Sequence, residues 1–278
     1  MRKRVMIATN LYQVDPTVYA SHMNMMYRVG RNLPDVDIFF TAPWRMSIDN
    51  GRQLAVRSAL QAECDYLFFY DDDMFLHPYI VERMLKRFEE NEEISILMAK
   101  AFIRGYPYEP MIFKYVEKGA LQIYSDYEKD VRKDGLVKVD AVGCCSTMID
   151  VNLIKLIPEP WFVTGKGHTE DVYFCVKAAE YAENVGIFMD TTIESGHLLD
   201  RPILTEYSRK ILVELTEEHN LNQIWMPDES FVADIKYQKD PTAQAEYKNP
   251  IEKWDEIKDF GGQRDGNPYN NSETVGPD

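Results

Sequence analysis

Short apolar runs alternate with amphipathic stretches along the first part of the chain. Residues 4–10 hold Val5, Met6, Ile7 and Ala8 and end in the polar pair Thr9 and Asn10, which predicts a strand followed by a loop. After Pro16, the residues Val18, His22, Met25, Met26 and Val29 recur at helical spacing, and proline suits a first helical turn. His22 on that stripe reads as a packed or hydrogen-bonded residue rather than a ligand. Residues 36–42 form a second apolar run, stopped by Pro43. Asp49 or Asn50 can cap a helix that carries Leu54, Ala55, Ala59 and Leu60 on one face. The unbroken run Tyr66, Leu67, Phe68, Phe69, Tyr70 is too short for a typical helix and reads as a strand buried on both faces. Pro78 opens a helix with Ile80, Val81, Met84, Leu85 and Phe88, and residues 94–99 give a fourth strand. Such alternation implies an α/β fold with parallel pairing and helices on both faces of the sheet.

The pattern changes after Phe102. Residues 111–115 and 121–124 flank Glu117-Lys118-Gly119, a hairpin signal, and Asp134-Gly135 marks a second turn. Residues 137–149 are largely apolar and contain Gly143, Cys144 and Cys145; Pro158 and Pro160 close the connection that follows. Gly165 and Gly167 predict a mobile loop over residues 161–168. A helix over residues 170–183 carries Val172, Phe174, Cys175 and Ala178, with Thr169 as its N-cap. Residues 187–189 read as a strand, 192–198 as a further extended segment and 206–220 as a helix. From residue 223 onward the chain is polar and rich in turn formers, including Gly261-Gly262 and Asn270-Asn271, which predicts a tail ordered in part at best. One domain over residues 1–222 is expected, in two halves, 1–100 and 101–222.

Composition narrows the class. The chain has 278 residues, 45% of them hydrophobic, the ordinary balance of a water-soluble globular protein. No apolar run approaches the length of a bilayer-crossing helix. Cys64, Cys144, Cys145 and Cys175 form no CxxC pair, so they read as reduced core residues of a cytoplasmic protein. A net charge of −15 disfavours tight electrostatic binding to nucleic acid or to an anionic membrane.

The candidate chemistry lies where the buried strand runs into Asp71-Asp72-Asp73. Like charges this close repel, and hard carboxylate oxygens suit Mg²⁺ or Mn²⁺. In an open α/β sheet, ligands bind beyond the carboxyl ends of the strands. A metal-dependent site for a phosphorylated ligand is one reading; an acidic turn capping the helix at Pro78 is the other. Glu170-Asp171 in a helix's first turn would equally favour the helix dipole, and a lone His197 would equally serve as a structural residue.

Taken together and in this order, these features resemble the glycosyltransferases of the GT-A fold, specifically the family 2-like group. The matching segments are Phe69-Tyr70-Asp71-Asp72-Asp73-Met74 for the DxD motif, Asn50-Gly51-Arg52-Gln53 for an arginine on the preceding helix, and Val142-Gly143-Cys144-Cys145 for a small-residue segment. Thr169-Glu170-Asp171-Val172-Tyr173-Phe174 matches an acidic pair at a helix start, and Gly196-His197-Leu198 a late histidine. The resemblance covers about residues 4–199 and makes the first half a nucleotide-sugar-binding half and the second an acceptor-binding half. It implies Mn²⁺ or Mg²⁺ as cofactor, with Asp71, Asp73 and His197 as metal ligands. It implies Thr9, Asn10, Arg52, Asp71, Asp72 and Gly143 as contacts of a nucleoside-diphosphate sugar, UDP- or GDP-linked. Asp171 would be the base of an inverting transfer to an acceptor hydroxyl, and Glu170 would bind acceptor or sugar; the two could exchange roles. A carbohydrate or another hydroxyl compound is the expected acceptor, and a nucleic-acid acceptor is allowed but disfavoured by the net charge. The alternatives are a nucleotidyltransferase-like enzyme and a non-catalytic nucleotide-sugar- or carbohydrate-binding module. Neither a GxxxxGK[ST] nor a GxGxxG phosphate loop is present.

Overall fold

The computed structural model of the chain describes residues 2–116, 120–199, 203–206, 209–210 and 213. Its strands and helices run in the order β1 (Lys3–Asn10), α1 (Pro16–Asn32), β2 (Val36–Thr41), α2 (Ile48–Gln61), β3 (Tyr66–Asp71), β4 (Met74–Phe75), α3 (Ile80–Glu90) and β5 (Ile96–Lys100). The second half adds β6 (Ile112–Tyr115), β7 (Leu121–Ile123), a 3-10 turn at Tyr127–Asp130, β8 (Leu136–Val139), β9 (Ala141–Val142), β10 (Ser146–Asp150), α4 (Val151–Leu156), α5 (Glu170–Tyr181), β11 (Ile187–Glu194), β12 (Gly196–Leu198) and β13 (Ile203–Leu204).

The central sheet has seven strands in the order β2-β1-β3-β10-β5-β11-β8. β1 pairs in parallel with β2 and β3, and β5 with β11, while β10 runs antiparallel to both β3 and β5, and β8 antiparallel to β11. Five of the seven strands therefore point one way, as the strand–helix alternation requires. One departure decides where the site forms. β3 and β5, successive strands joined by α3, are not neighbours, because β10 lies between them. β10 is buried along Ser146–Ile149, as a strand covered on both faces must be. It enters the sheet at the carboxyl end of β3, where Ser146 sits opposite Tyr70. Gly143, Cys144 and Cys145 are thereby delivered to the end of the aspartate strand.

Helix faces follow their periodicity. Asp15 caps α1 by accepting from the Thr17 amide at 2.8 Å, and His22 is buried with Nε2 2.8 Å from the Met74 carbonyl, a packed residue as expected. α3 buries Ile80, Val81, Met84, Leu85 and Phe88. Each such side chain contributes about 1.5–3 kcal/mol through removal from water. α2 begins at Ile48 with Ser47 at the N-cap, so Asp49 lies inside the first turn rather than capping it. α4 was not expected: Val151, Leu153 and Ile154 extend the apolar run of β10, and only the Asp150 carboxylate, which accepts from the Asn152 amide at 2.8 Å, marks the change to helix. The hairpin β6–β7 is antiparallel, as its flanking pattern implies; the Glu117-Lys118-Gly119 turn itself lies outside the described residues. All four cysteines are free and buried. Among the described residues no helix is long and apolar enough to cross a membrane. Of the helix expected over residues 206–220, Glu206, Arg209, Lys210 and Val213 are helical. Its other residues and the tail at 223–278 lie outside the described residues.

The edge of β11 is set by a close backbone approach. A Cβ on Gly186 would stand 1.7 Å from the Glu93 carbonyl oxygen, and the Gly186 carbonyl accepts from the amides of Ser95 and Ile96. Gly186→Ala should therefore destabilise the fold by about 1–3 kcal/mol, the usual cost of forcing a packed backbone apart. The check is a lower urea midpoint with an unchanged slope.

Candidate functional site

β1 and β3 end side by side, with Asn10 opposite Asp71. The loops that leave these ends, the entry to β10 and the first turn of α5 surround one crevice. At its floor is Arg52, only 3% exposed on the inner face of α2. Its Nε donates to Glu170 Oε1 at 2.9 Å, and one terminal nitrogen donates to Asp71 Oδ1 at 3.0 Å. The other approaches the Cys144 carbonyl at 3.4 Å. The guanidinium also lies 5.1 Å from the centre of the Phe69 ring. Burial disfavours its charged form, but the carboxylates of Asp71 and Glu170 outweigh that and hold its pKa above the usual arginine value. Burial in turn pushes the carboxyls of Asp71 and Glu170 up, with Arg52 pulling each the other way.

Asp171 follows Glu170 in the same helical turn and is 7% exposed. Its Oδ2 accepts from the Cys144 amide at 3.3 Å, and its Oδ1 accepts from the Val172 amide at 2.8 Å and from the Thr169 hydroxyl. Thr169 stands at the N-cap, as its position implies, but its hydroxyl goes to Asp171 and makes no cap bond. Gly143 fits beside Asp171 because it lacks a side chain. A Cβ there would come within 2.8 Å of the Met111 methyl and 3.4 Å of Asp171 Oδ2.

The second part of the crevice is built on Asp73. The strand β12 lies antiparallel to β4, with His197 opposite Met74, and the Leu198 amide donates to the Asp73 carbonyl at 2.9 Å. This pairing returns the late histidine to the aspartate cluster, with His197 Nε2 3.3 Å from Asp73 Oδ2. His197 Nδ1 lies 2.8 Å from the Phe102 carbonyl. A carbonyl can only accept, so Nδ1 carries the proton, and Nε2 faces the carboxylate either with a second proton or with a lone pair. In the latter case a cation between the two groups makes the contact attractive, and a histidine held by a backbone carbonyl on its far nitrogen is how metal-ligating imidazoles are oriented. Asp73 Oδ1 is buried and has no hydrogen-bond partner among the described residues. Burial works to raise the Asp73 carboxyl, but the hydrogen bond and charge of His197 and the charge of Arg104 hold it below the usual carboxylate range.

These donors fit Mg²⁺ or Mn²⁺ in one respect and depart from the expectation in another. Asp73 and His197 form a pair of suitable type. Asp71, expected as a third ligand, turns its Oδ1 to Arg52 instead, and no group of three His, Cys, Asp or Glu side chains among the described residues could hold a metal. A two-ligand protein site suits a hard cation that takes its remaining oxygens from water and phosphate.

The other expected residues are placed as follows. Asp72 Oδ2 accepts from the amides of Tyr12 and Gln13 at 2.6 and 2.8 Å, so this carboxylate shapes the loop after β1. Thr9 is 2% exposed, within the sheet. Asn10, Gly51 and Arg52 line a narrow crevice with Pro43, and Asn10 Oδ1 is buried without a hydrogen-bond partner among the described residues. A Cβ on Gly51 would fall 2.1 Å from that oxygen, so the glycine lets Asn10 lie against α2. Arg52, expected to meet base or phosphate, spends its guanidinium on the protein. Sequence reasoning missed Arg104, whose terminal nitrogen is 3.1 Å from Asp73 Oδ2, and the backbone of Phe102 and Cys144. An arginine in a loop of Gly, Tyr and Pro gives no periodic signal, and backbone groups give none at all.

The site is thus a class of acidic crevice at strand ends, with one buried guanidinium, an acidic helix start and an aspartate–histidine pair. No protein-family model matches the chain, and no curated protein matches it. Among solved structures, it overlaps the crystal structure of A197 from STIV at a TM-score of 0.46 and 16% identity, over 73% of this chain and 93% of that one. It overlaps S. aureus TarS 1-349 at 0.37 and 14%, over 68% and 60%, and apo UDP-glucose pyrophosphorylase at 0.44 and 8%, over 80% and 100%. Overlaps of this extent assign no residue and no activity to this chain.

Removing Arg52 leaves the buried Glu170 and the half-buried Asp71 uncompensated, so Arg52→Ala should cost about 3 kcal/mol of stability. Arg52→Lys should recover only part, because one ammonium cannot reproduce the fork. Urea unfolding of the three proteins at neutral pH measures both. For Asp73 the sign follows from its depressed pKa: its stabilising contribution is present above the ordinary value of 3.8 and is lost as pH falls through the lower folded value. Asp73→Asn should flatten that acid limb of the stability–pH curve, followed by urea midpoints between pH 5 and 2.

Proposed function

We propose that the chain is a metal-dependent glycosyltransferase of GT-A type that moves a sugar from a nucleoside-diphosphate sugar to an acceptor hydroxyl with inversion. The observation that supports this best is convergence. Asp71 with Asp73, Glu170 with Asp171, and His197 come from three stretches far apart in sequence, yet Arg52 bridges Asp71 to Glu170 and Asp73 meets His197. They gather at the carboxyl ends of parallel strands, where α/β sheets bind their ligands.

In this reading Asp73 and His197 hold Mn²⁺ or Mg²⁺, which supplies Lewis-acid charge to a departing diphosphate. Asn10, whose side-chain oxygen has no hydrogen-bond partner among the described residues, faces the nucleoside. Asp72 holds the loop after β1 in place through its two amide contacts. Arg52 fixes Asp71 at the ribose side and claims Glu170 as its counter-ion. Glu170, with its Oε1 engaged by Arg52, acts in positioning acceptor or sugar. Asp171 is the carboxylate left to take the proton from the acceptor hydroxyl as the new bond to the anomeric carbon forms. Among the described residues its Oδ2 has only the long contact from the Cys144 amide, and it lies beside the space that Gly143 leaves open.

The test is incubation with UDP- and GDP-sugars, Mn²⁺ and an acceptor panel, following nucleoside diphosphate release and product mass. Asp171→Asn should lower kcat by about 10²–10⁴ with little change in donor KM, as loss of a general base does. Asp73→Ala should abolish turnover and weaken Mn²⁺ binding. Formation of pyrophosphate from a nucleoside triphosphate and a sugar phosphate would instead establish nucleotidyl transfer. Donor binding with no turnover on any acceptor would favour a binding module.

A further inference from the structure

Asp73 Oδ2 has two cationic or potentially cationic neighbours. His197 is one, at 3.3 Å; Arg104, at 3.1 Å, is the other, and nothing in the proposed chemistry uses it. The two differ in kind. His197 is 8% exposed at its side chain and locked by the Phe102 carbonyl, whereas the Arg104 side chain is 58% exposed on the rim of the crevice.

The loop that carries Arg104 is tightly held. Phe102 pairs with Pro110, the Ile103 amide donates to the Glu109 carbonyl at 2.9 Å, and the Tyr108 amide donates to the Gly105 carbonyl at 2.7 Å. From outside, Arg209 donates to the Tyr108 carbonyl at 2.7 Å and to Glu109 Oε1 at 3.1 Å, and its guanidinium lies 5.5 Å from the centre of the Phe102 ring. One anchored loop therefore presents both the carbonyl that orients His197 and the guanidinium that meets Asp73. The backbone is fixed while the long side chain at its tip is free to reorient in solvent.

We infer that Arg104 is a tethered counter-ion of Asp73 that opposes a divalent cation bound alone and favours one bound with a diphosphate. This rests on reading Asp73 and His197 as the cation pair. A divalent ion held between Asp73 Oδ2 and His197 Nε2 competes with the guanidinium for that oxygen, because two positive charges on one oxygen repel. Released, the guanidinium stands at the rim next to the ion. There the phosphates of a nucleoside diphosphate bound to that ion come within its reach, and an arginine fork pairs well with phosphate oxygens. The same residue thus has opposite effects on the two binding steps: it weakens binding of the cation alone and strengthens binding of the cation together with the nucleotide.

The experiment uses the full chain and binding readouts alone. Mn²⁺ is titrated by the electron paramagnetic resonance signal of the free ion, and UDP and GDP by calorimetry at saturating Mn²⁺, for wild type, Arg104→Gln, Arg104→Lys and Asp73→Asn. Arg104→Gln should bind Mn²⁺ alone about three- to fivefold more tightly, the scale of losing one partly exposed ion pair. It should bind the nucleoside diphosphate about tenfold more weakly, the scale of losing a charge-assisted contact. Arg104→Lys keeps the charge and should stay near wild type for Mn²⁺ while losing part of the diphosphate affinity. Unchanged or weaker Mn²⁺ binding by Arg104→Gln, with Mn²⁺ bound by wild type and lost in Asp73→Asn, would overturn the role of Arg104 and leave the cation pair standing. Absence of Mn²⁺ binding to wild type and Arg104→Gln alike would overturn the cation pair and this inference together.

Discussion

The guanidinium of Arg52 is the point on which the site depends. It sits out of water between two carboxylates that come from opposite halves of the chain, Asp71 at the end of β3 and Glu170 at the start of α5. Taking Arg52 and Glu170 out of water, and Asp71 in part, has a large desolvation cost, and an apolar cluster of the same volume could hold the helices together as well. What an apolar cluster could not do is fix direction. The planar fork sets the end of the aspartate strand and the first turn of α5 in one relation, and the carbonyl of Cys144 lies against the same group. Asp71, Glu170 and the peptide that faces Asp171 are registered together by a single side chain.

The surrounding fold supplies the routes by which these groups arrive. The antiparallel insertion of β10 brings Cys144 and Gly143 to the carboxyl end of β3, where a parallel strand would have brought its other end. The short pairing of β12 with β4 does the same for His197. Farther from the crevice, Lys177 on α5 donates to the carbonyls of Pro158 and Pro160, each at 2.7 Å, and Gln53 on α2 accepts from the Trp161 amide at 2.9 Å. Two helices are thereby clasped on one connecting segment behind the ion cluster.

Much of this was legible from the order of residues alone. β1, β2, β3, α3 and β5 follow directly from apolar runs and helical spacing, because each satisfies a local rule that tertiary packing does not contradict. The acidic motif, the helix start at Glu170 and the late His197 were recognisable as residue types in order. Two things escaped. α4 was hidden because Val151, Leu153 and Ile154 continue the apolar run of β10, so pattern alone cannot tell strand from helix there. The direction of Arg52 was hidden because helical spacing says which face a side chain takes but not which charge it meets. Asp72 taught the same lesson: a carboxylate in a motif reads as a ligand contact, yet its oxygen satisfies two loop amides.

The ties that assemble the crevice also span great lengths of chain: Arg52 and Glu170 are 118 positions apart, and Asp73 and His197 are 124 apart. Contacts so distant in sequence close late, after the entropy of long loops has been overcome. As the polypeptide leaves the ribosome, the early strands can pair while Asp73 still lacks its imidazole and Arg52 one of its two carboxylates. A nascent chain halted before Glu170 would hold Arg52 with one of its two carboxylates beside an unfinished sheet, a species open to capture by chaperones or to aggregation. The ion cluster therefore closes only after the chain through His197 has emerged.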